Sequence, residues 1–294
     1  MKVFVSGGSG YIGSAVALRL KKAGHDVLAL VRSKAKAEKV AAAGVKLVEA
    51  DLGDSASWAA AAYGRNAVVH CAFAQAENGV ELDRRFITSA RDLLRGQVGA
   101  TLVYTSGCWV YGDTADVADE SAELKPAKLV GWRPGHEKLA LEAAKDGVRA
   151  VVVRPAVVYG GANGGIPGGF FGSAQKGGAA QLVGDGRNRW PMVHVDDLAE
   201  LYVSVLEKAP GGDIYIGSSG ENPTVRELAE AAHGIGKTVD EEPADSRARL
   251  GERFADALLQ DQQAAGTTAK NLFSWSPKQP TLVELLRDGY PADR

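Results

Sequence analysis

Two cysteines in 294 residues, Cys71 and Cys108, are too few to staple a fold with disulfides, and both lie in apolar stretches at the ends of predicted strands. They read as buried, reduced thiols, with nucleophilic chemistry as the lesser alternative. Excess charge is also lacking: 34 Lys and Arg against 36 Asp and Glu leave a formal net charge of -2, with the signs interspersed. That excludes a broad basic face for nucleic acid and an acidic tail. No apolar run approaches the roughly 20 residues of a membrane span, and Met1 leads into a strand without a basic and then apolar leader. A cytoplasmic protein with neither nucleic-acid nor membrane partners is expected. Internal repeats and low-complexity tails are absent as well. The length suits one large α/β domain with a smaller lobe.

Glycine, by contrast, is plentiful, with 36 residues, and its placement is informative. Ser6–Gly13 reads Ser-Gly-Gly-Ser-Gly-Tyr-Ile-Gly, directly after the apolar run Val3, Phe4, Val5 and before a helix-forming segment. In a dinucleotide-binding turn Gly7 permits the tight strand-to-helix bend, Gly10 admits a pyrophosphate to the backbone, and Gly13 lets the helix pack on the strand. Ser9, Tyr11 and Ile12 complete the turn, whose amides and helix dipole favour phosphate. Beyond it, Val27–Val31, Lys46–Ala50, Ala67–His70, Thr101–Thr105 and Ala150–Val153 read as strands, and Tyr11–Ala23, Lys34–Ala43 and Leu82–Arg95 as helices. Apolar strands separated by helices predict a doubly wound parallel sheet covered on both faces. After Arg154 the texture becomes glycine-rich from Gly160 to Gly178, then short alternating pieces with scattered prolines. The expected division is a nucleotide-binding domain over 1–155, rejoined by 190–217, and a substrate lobe formed by 156–189 and 218–294. The glycine-rich stretch has no Gly-Lys-Ser/Thr ending, so it reads as a substrate-covering loop and not a second phosphate site.

The cofactor can be read from the end of the second strand, where an acid normally holds the adenosine ribose. Here stands Val31-Arg32-Ser33. Without an acid at Val31, and with the forked guanidinium of Arg32 beside Ser33, NADP(H) is preferred over NAD(H). A solvated charge is the plainer role for Arg32. Asp51-Leu52 sits where an acid accepts from the adenine amino group, or where it caps the helix beginning near Asp54. Ala72 follows the fourth strand among small residues that allow the chain to pass close to a cofactor.

These pieces, with Thr105-Ser106, Val110-Tyr111-Gly112, Arg154-Pro155, Val158-Tyr159-Gly160 and Val193-His194-Val195-Asp196-Asp197-Leu198-Ala199 in order, resemble an extended short-chain dehydrogenase/reductase of the NAD(P)-dependent epimerase/dehydratase type. The resemblance spans nearly the whole chain. It implies a Rossmann sheet with a small C-terminal α/β substrate lobe, a small-molecule substrate such as a carbonyl compound or nucleotide sugar, and a homodimer pairing helices near Leu82–Arg95 and Pro134–Ala144. It also implies that Thr105 and Pro155 border the cofactor.

The chain departs from that family where the chemistry lies, for it lacks the Tyr-x-x-x-Lys pattern. By spacing, Trp132 holds the tyrosine's place, His136 the lysine's, and Gly107 that of the Ser/Thr, with Ser106 one residue earlier. Indole cannot exchange a proton near neutral pH, whereas imidazole titrates in the useful range and can bond a ribose hydroxyl. His136 is therefore the candidate for ribose contact and, with Tyr111 and Ser106, for the catalytic set; a plain helix-start histidine and a core tyrosine are the bland readings. Trp132, Tyr159 and His194 are candidates for the substrate wall, against packing roles and a loop-tying histidine. Glu137 and Lys138 read as a solvated helix face, and Arg187, Arg189 and Lys176 as loop cations able to meet an anion. Three functions follow: an NADP(H)-dependent oxidoreductase, a non-redox isomerase or lyase on the same fold, and a non-catalytic cofactor-binding regulator.

Overall fold

The computed structural model describes residues 1–161, 164–171 and 179–290. Its strands are β1 (Lys2–Ser6), β2 (Asp26–Val31), β3 (Lys46–Glu49), β4 (Ala67–His70), β5 (Thr101–Thr105), β6 (Arg149–Pro155), β7 (Val157–Tyr159), β8 (Ala180–Gln181), β9 (Met192–His194), β10 (Ile214–Gly217) and β11 (Thr238–Val239). The helices are α1 (Tyr11–Lys22), α2 (Glu38–Ala42), α3 (Ser55–Ala62), α4 (Gly79–Leu94), α5 (Arg133–Leu141), α6 (Gly165–Phe171), α7 (Val195–Lys208), α8 (Val225–His233), α9 (Pro243–Leu250), α10 (Glu252–Leu258), α11 (Thr267–Phe273) and α12 (Leu282–Arg287). Seven strands form one sheet in the order β10-β6-β5-β4-β1-β2-β3, the doubly wound Rossmann arrangement that the alternation of strands and helices predicts.

The chain divides into two compact units, one of Met1–Ser106, Trp132–Val153 and Ala199–Tyr215, the other of Gly107–Gly131, Arg154–Leu198 and Ile216–Arg294. Residues 107–131 thus group with the second unit, where Thr114 bonds with Asp261 and Gln263 and Ala118 bridges Ala264. In the first unit β1 pairs in parallel with β2 and β4, register partners including Val5↔Val69 and Ser6↔His70. Strand order reverses between β1 and β4, and in such sheets ligands bind beyond the carboxyl ends at that point. The glycine turn leaves β1 there, and Cys71, Ala72 and Phe73 leave β4 beside it.

Beneath this point Phe4, Trp58 and Phe86 form an aromatic cluster, with Phe4–Trp58 and Trp58–Phe86 centroids 5.3 and 5.1 Å apart. α4 turns Asp83, Phe86, Ile87, Ala90 and Leu94 inward, the spacing of one helical face. Its first residue lies three positions before the predicted start. α5 begins with Pro134 in its first turn, a position where the ring's fixed φ is already helical, and buries His136, Glu137 and Ala140. The predicted helix Lys34–Ala43 is a 3-10 turn at Ala35–Ala37 followed by α2.

In the second unit β7 pairs with β9 and β8 with β11. Tyr159, Phe171, Trp190, Met192, Leu228 and Leu258 belong to its core. Both α8 and α12 start with capping boxes, Thr224 with Glu227 and Thr281 with Glu284, which satisfy the amides their first turns leave free. Among the described residues no helix is long and apolar enough to cross a membrane.

Candidate active site

The glycine turn of the first unit is shaped so that side chains are excluded. Gly7 holds φ +76, and a Cβ there would stand 2.9 Å from Ala72 Cα; at Gly13 it would stand 2.2 Å from Gly7 O. Gly10 is the N-cap of α1 without any side-chain cap. The first intrahelical bond runs from Ser14 N to Gly10 O at 2.9 Å, so the amides of Ile12 and Gly13 precede it. Ser9, Tyr11 and Ile12 are half-buried around this cradle, which fits a pyrophosphate in shape and dipole.

At the end of β2 Val31 is buried, Arg32 exposed and Ser33 half-buried. The sequence reading counted no acid here, but Glu49 is the register partner of Val31 across β3. One of its oxygens accepts from Lys34 N at 3.1 Å. Asp51 is exposed and accepts from Gly53 N at 2.7 Å, whereas the cap of α3 is Asp54, which accepts from Ala56 N at 3.1 Å. Leu52 is buried and packs in the core. Ala72 N donates to Ser6 Oγ at 3.2 Å.

The same unit contains a continuous polar chain in its interior. Ser6 Oγ accepts from Cys71 N and Ala72 N, each at 3.2 Å, and meets His70 Nδ1 at 2.6 Å. Nε2 of His70 lies 3.2 Å from Asp83 Oδ1, an ion-pair distance but out of line for a directed hydrogen bond. Asp83 Oδ2 accepts from Tyr104 OH at 3.0 Å and meets His136 Nδ1 at 2.7 Å. His70 is 1% exposed, Asp83 2% and His136 8%. Burial alone would raise the Asp83 carboxyl; the histidine contacts and the nearby Arg133 outweigh it and hold the group well below the usual carboxylate range. His136 Nε2 has no hydrogen-bond partner among the described residues.

Trp132 stacks on Phe73, centroids 5.2 Å apart at 13°, and meets the His136 ring edge-on at 4.8 Å. The Arg133 guanidinium lies over Trp132 at 4.6 Å and donates to Thr105 O at 2.9 Å. Thr105 Oγ1 is shared with Tyr202 OH at 2.7 Å. Cys71, half-buried and beside Thr105, has its thiol pushed up to about 12 by burial, against a hydrogen bond from Thr105; it is no nucleophile at neutral pH.

Several sequence candidates take other positions. Glu137 is not on a solvated face: it is buried, and Ser106 Oγ donates to its Oε1 at 2.5 Å. That bond engages the Ser106 hydroxyl in holding a buried carboxylate, while Lys138 is exposed as expected.

In the second unit Tyr111 is buried, and its OH accepts from Arg154 Nη1 at 2.7 Å. Burial raises its phenol against the pull of Arg154, the surroundings of a packed core tyrosine. Tyr159 is buried and donates to Pro280 O at 2.9 Å, a contact of the second unit's core. His194 accepts from Asp196 N at 3.2 Å, and its ring fills the space a Cβ at Gly160 would need, 2.0 Å from Nε2. It ties its loop. Pro155 ends β6 and is buried. Arg189 pairs with Asp261 at 2.6 Å and Arg187 with Asp185 at 3.4 Å. Lys176 and parts of the glycine-rich stretch, 162–163 and 172–178, lie outside the described residues. Asp83 and His70 carry no motif in the sequence that marks them as site residues, and Glu137 reads there as part of a solvated face. The available signal was charge on the inward spacing of a helix, Asp83 before Phe86 and Ile87, and Glu137 before Ala140.

Residues 3–217 match the model of the NAD dependent epimerase/dehydratase family. The chain is 31% identical over 300 residues to an uncharacterized protein of Schizosaccharomyces pombe, covering 99% of this chain and 100% of the other. It is 27% identical to the 4-hydroxy-2-methyl-3-oxo-4-farnesyl-3,4-dihydroquinoline-1-oxide ketoreductase of Stigmatella aurantiaca, covering 90% and 84%. In structure it is similar to a double mutant of a dTDP-glucose 4,6-dehydratase from Streptomyces venezuelae solved with NAD, with TM-score 0.78, 22% identity, and 98% and 95% of the two chains covered.

Proposed function

The chain belongs to the NAD dependent epimerase/dehydratase family, and from that premise we propose that it is an NADP(H)-dependent oxidoreductase in which His136 carries the proton. The buried Asp83–His136 pair is the observation that carries this reading. It supplies a titratable nitrogen four residues after Trp132, which replaces the family's tyrosine. When bound, the reduced nicotinamide supplies hydride to a carbonyl carbon. His136, as an imidazolium stabilised by the Asp83 carboxylate, donates its Nε2 proton to the carbonyl oxygen, is left neutral with its hydrogen on Nδ1, and is then reprotonated from solvent. Trp132 and Phe73 form an apolar wall beside that nitrogen, and Arg133 braces both the wall and the Thr105 carbonyl.

Gly7, Gly10 and Gly13 would hold the pyrophosphate, Arg32 and Ser33 the 2′-phosphate, and Asp51 the adenine, while the one free nitrogen of His136 serves the substrate and not the ribose hydroxyl. The substrate class is a small carbonyl compound, as the name of the ketoreductase relative suggests, or a nucleotide sugar. A homodimer through α4 and α5 accompanies this reading.

Calorimetric titration with NADPH, NADH and their oxidised forms tests the cofactor, followed by NADPH consumption across a panel of ketones and 4-keto nucleotide sugars. Arg32→Ala should cost about ten- to a hundredfold in NADPH affinity, the worth of a charge-assisted bond, and leave NADH binding unchanged. Glu49→Gln should move the ratio the other way, by relieving repulsion at the same corner. Equal losses for both nucleotides in Arg32→Ala would overturn the phosphate assignment.

A further inference from the structure

We propose that Asp83 and His70 are positioning residues that fix the proton of neutral His136 on Nδ1 and so reserve Nε2 for exchange. The inference rests on the reading of His136 as the proton carrier and names what makes it one.

The direction of each hydrogen follows from counting donors and acceptors. Ser6 Oγ receives two backbone amides, from Cys71 and Ala72. A hydroxyl has two lone pairs and one hydrogen, so the hydrogen goes to His70 Nδ1 at 2.6 Å. Nδ1 of His70 is then an acceptor and its proton sits on Nε2, facing Asp83 Oδ1 at 3.2 Å. The carboxylate is acceptor-only, so Tyr104 OH and His136 Nδ1 both donate to Oδ2, at 3.0 and 2.7 Å. Neutral His136 therefore carries its hydrogen on Nδ1 and a lone pair on Nε2. Protonation at Nε2 gives an imidazolium whose charge Asp83 offsets, and release from Nε2 restores the same tautomer. No second tautomer is available without leaving Asp83 facing a lone pair.

The charged and titratable groups around this nitrogen are few. They are Asp83 from α4, His70 from β4, Tyr104 from β5, and Arg133 and Glu137 from α5; Arg133 acts on both Asp83 and Tyr104, and Glu137 on Tyr104. Among them only Asp83 bonds directly to His136. Asp83 is thus the principal positioning residue, and His70, held by Ser6, faces the carboxylate's other oxygen at ion-pair distance.

Long-range proton–nitrogen NMR correlation on the full-length, nitrogen-labelled protein reads the tautomer of each histidine without substrate. Expected are Nδ1–H for His136 and Nε2–H for His70. In Asp83→Asn the His136 signal should shift toward a mixture of tautomers, because an amide can meet either a ring hydrogen or a ring lone pair. An Nε2–H His136, or an unchanged His136 in Asp83→Asn, overturns the proposal. Should Asp83→Asn fail to fold, His70→Gln gives a second arm, with a smaller shift at His136 expected in the same direction and no shift counting against the proposal.

Kinetics supply the functional arm. With a substrate found by the panel, Asp83→Asn should lower kcat by about tenfold or more, within the hundred- to ten-thousandfold that general acid help supplies, with KM for NADPH nearly unchanged. If the tautomers are as assigned and no carbonyl is reduced, the functional reading fails and the positioning stands; if a carbonyl is reduced and the tautomers are reversed, the positioning fails and the functional reading stands.

Discussion

The two units bury polar groups in opposite manners. In the first, Ser6, His70, Asp83, Tyr104 and His136 form one chain that ends on a nitrogen without a hydrogen-bond partner among the described residues. In the second, four buried side chains close on backbone or fixed partners, although Gln260 and Gln262 each leave a buried side-chain oxygen without a hydrogen-bond partner among the described residues. Tyr111 takes a bond from Arg154, Tyr159 gives one to Pro280, His194 ties Asp196, and Asp197 accepts from Lys278 N and Gln279 N. A closed contact stabilises a loop or core, whereas an open-ended buried chain has a group left over for chemistry. On this difference, more than on sequence position, rests the proposal that His136 and not Tyr111 carries the proton.

The largest expected effect comes from breaking the open chain. Asp83→Ala leaves two buried histidines without their carboxylate and should cost about 3–5 kcal/mol in denaturant unfolding. Tyr111→Phe removes one closed bond while keeping the ring under the Arg154 guanidinium, and should cost about 1.5 kcal/mol. A smaller cost for Asp83→Ala than for Tyr111→Phe would erase the distinction.

Two glycines sharpen the same contrast at about 1–3 kcal/mol each, the usual cost of forcing atoms into filled space. Gly13→Ala places a Cβ against Gly7 O and should also abolish measurable NADPH binding by calorimetry. Gly160→Ala places one against His194 at φ +90, and its loss should appear in stability with cofactor affinity retained. Full NADPH binding by Gly13→Ala would remove the glycine turn from the site.

The smallest effect is in pH dependence. His194 and His25 are both held below the ordinary imidazole value, chiefly by burial. The folded protein thus binds fewer protons than the unfolded chain once pH falls below about 6.5, the unfolded value. Their contribution is full above that pH and declines below it. Asp83, held low, contributes in the same sense but in a lower window: its share persists until pH falls through about 3.9 toward its folded value. Urea midpoints from pH 8 to pH 3 should therefore fall in two separate windows, and His194→Gln should flatten only the upper one. A midpoint constant from pH 8 to pH 5 would contradict the burial of both histidines.

Much of the fold was legible because hydrophobic period and glycine placement are local signals. The alternating strands gave the sheet, and Gly7, Gly10 and Gly13 marked the turn that the structure closes to side chains. The proton site was only half legible. Spacing pointed to Trp132 and His136, since they occupy a motif's places. Their partners are Phe73 and Asp83, distant in sequence and brought to them when α4 packs against α5 and the end of β4 lies beside it. Glu137 was misread because its inward direction depends on where Pro134 starts the helix. Glu49 was missed because a register partner in the next strand has no sequence marker.

The most direct test of this account is a side-by-side comparison of His136→Gln and Tyr111→Phe, measuring kcat for carbonyl reduction and NADPH affinity in both. The account predicts a loss of about a hundredfold or more in kcat for His136→Gln, with less than about tenfold change in NADPH affinity, and kcat within about twofold of the parent for Tyr111→Phe. Full turnover by His136→Gln, or its loss in Tyr111→Phe, would contradict it.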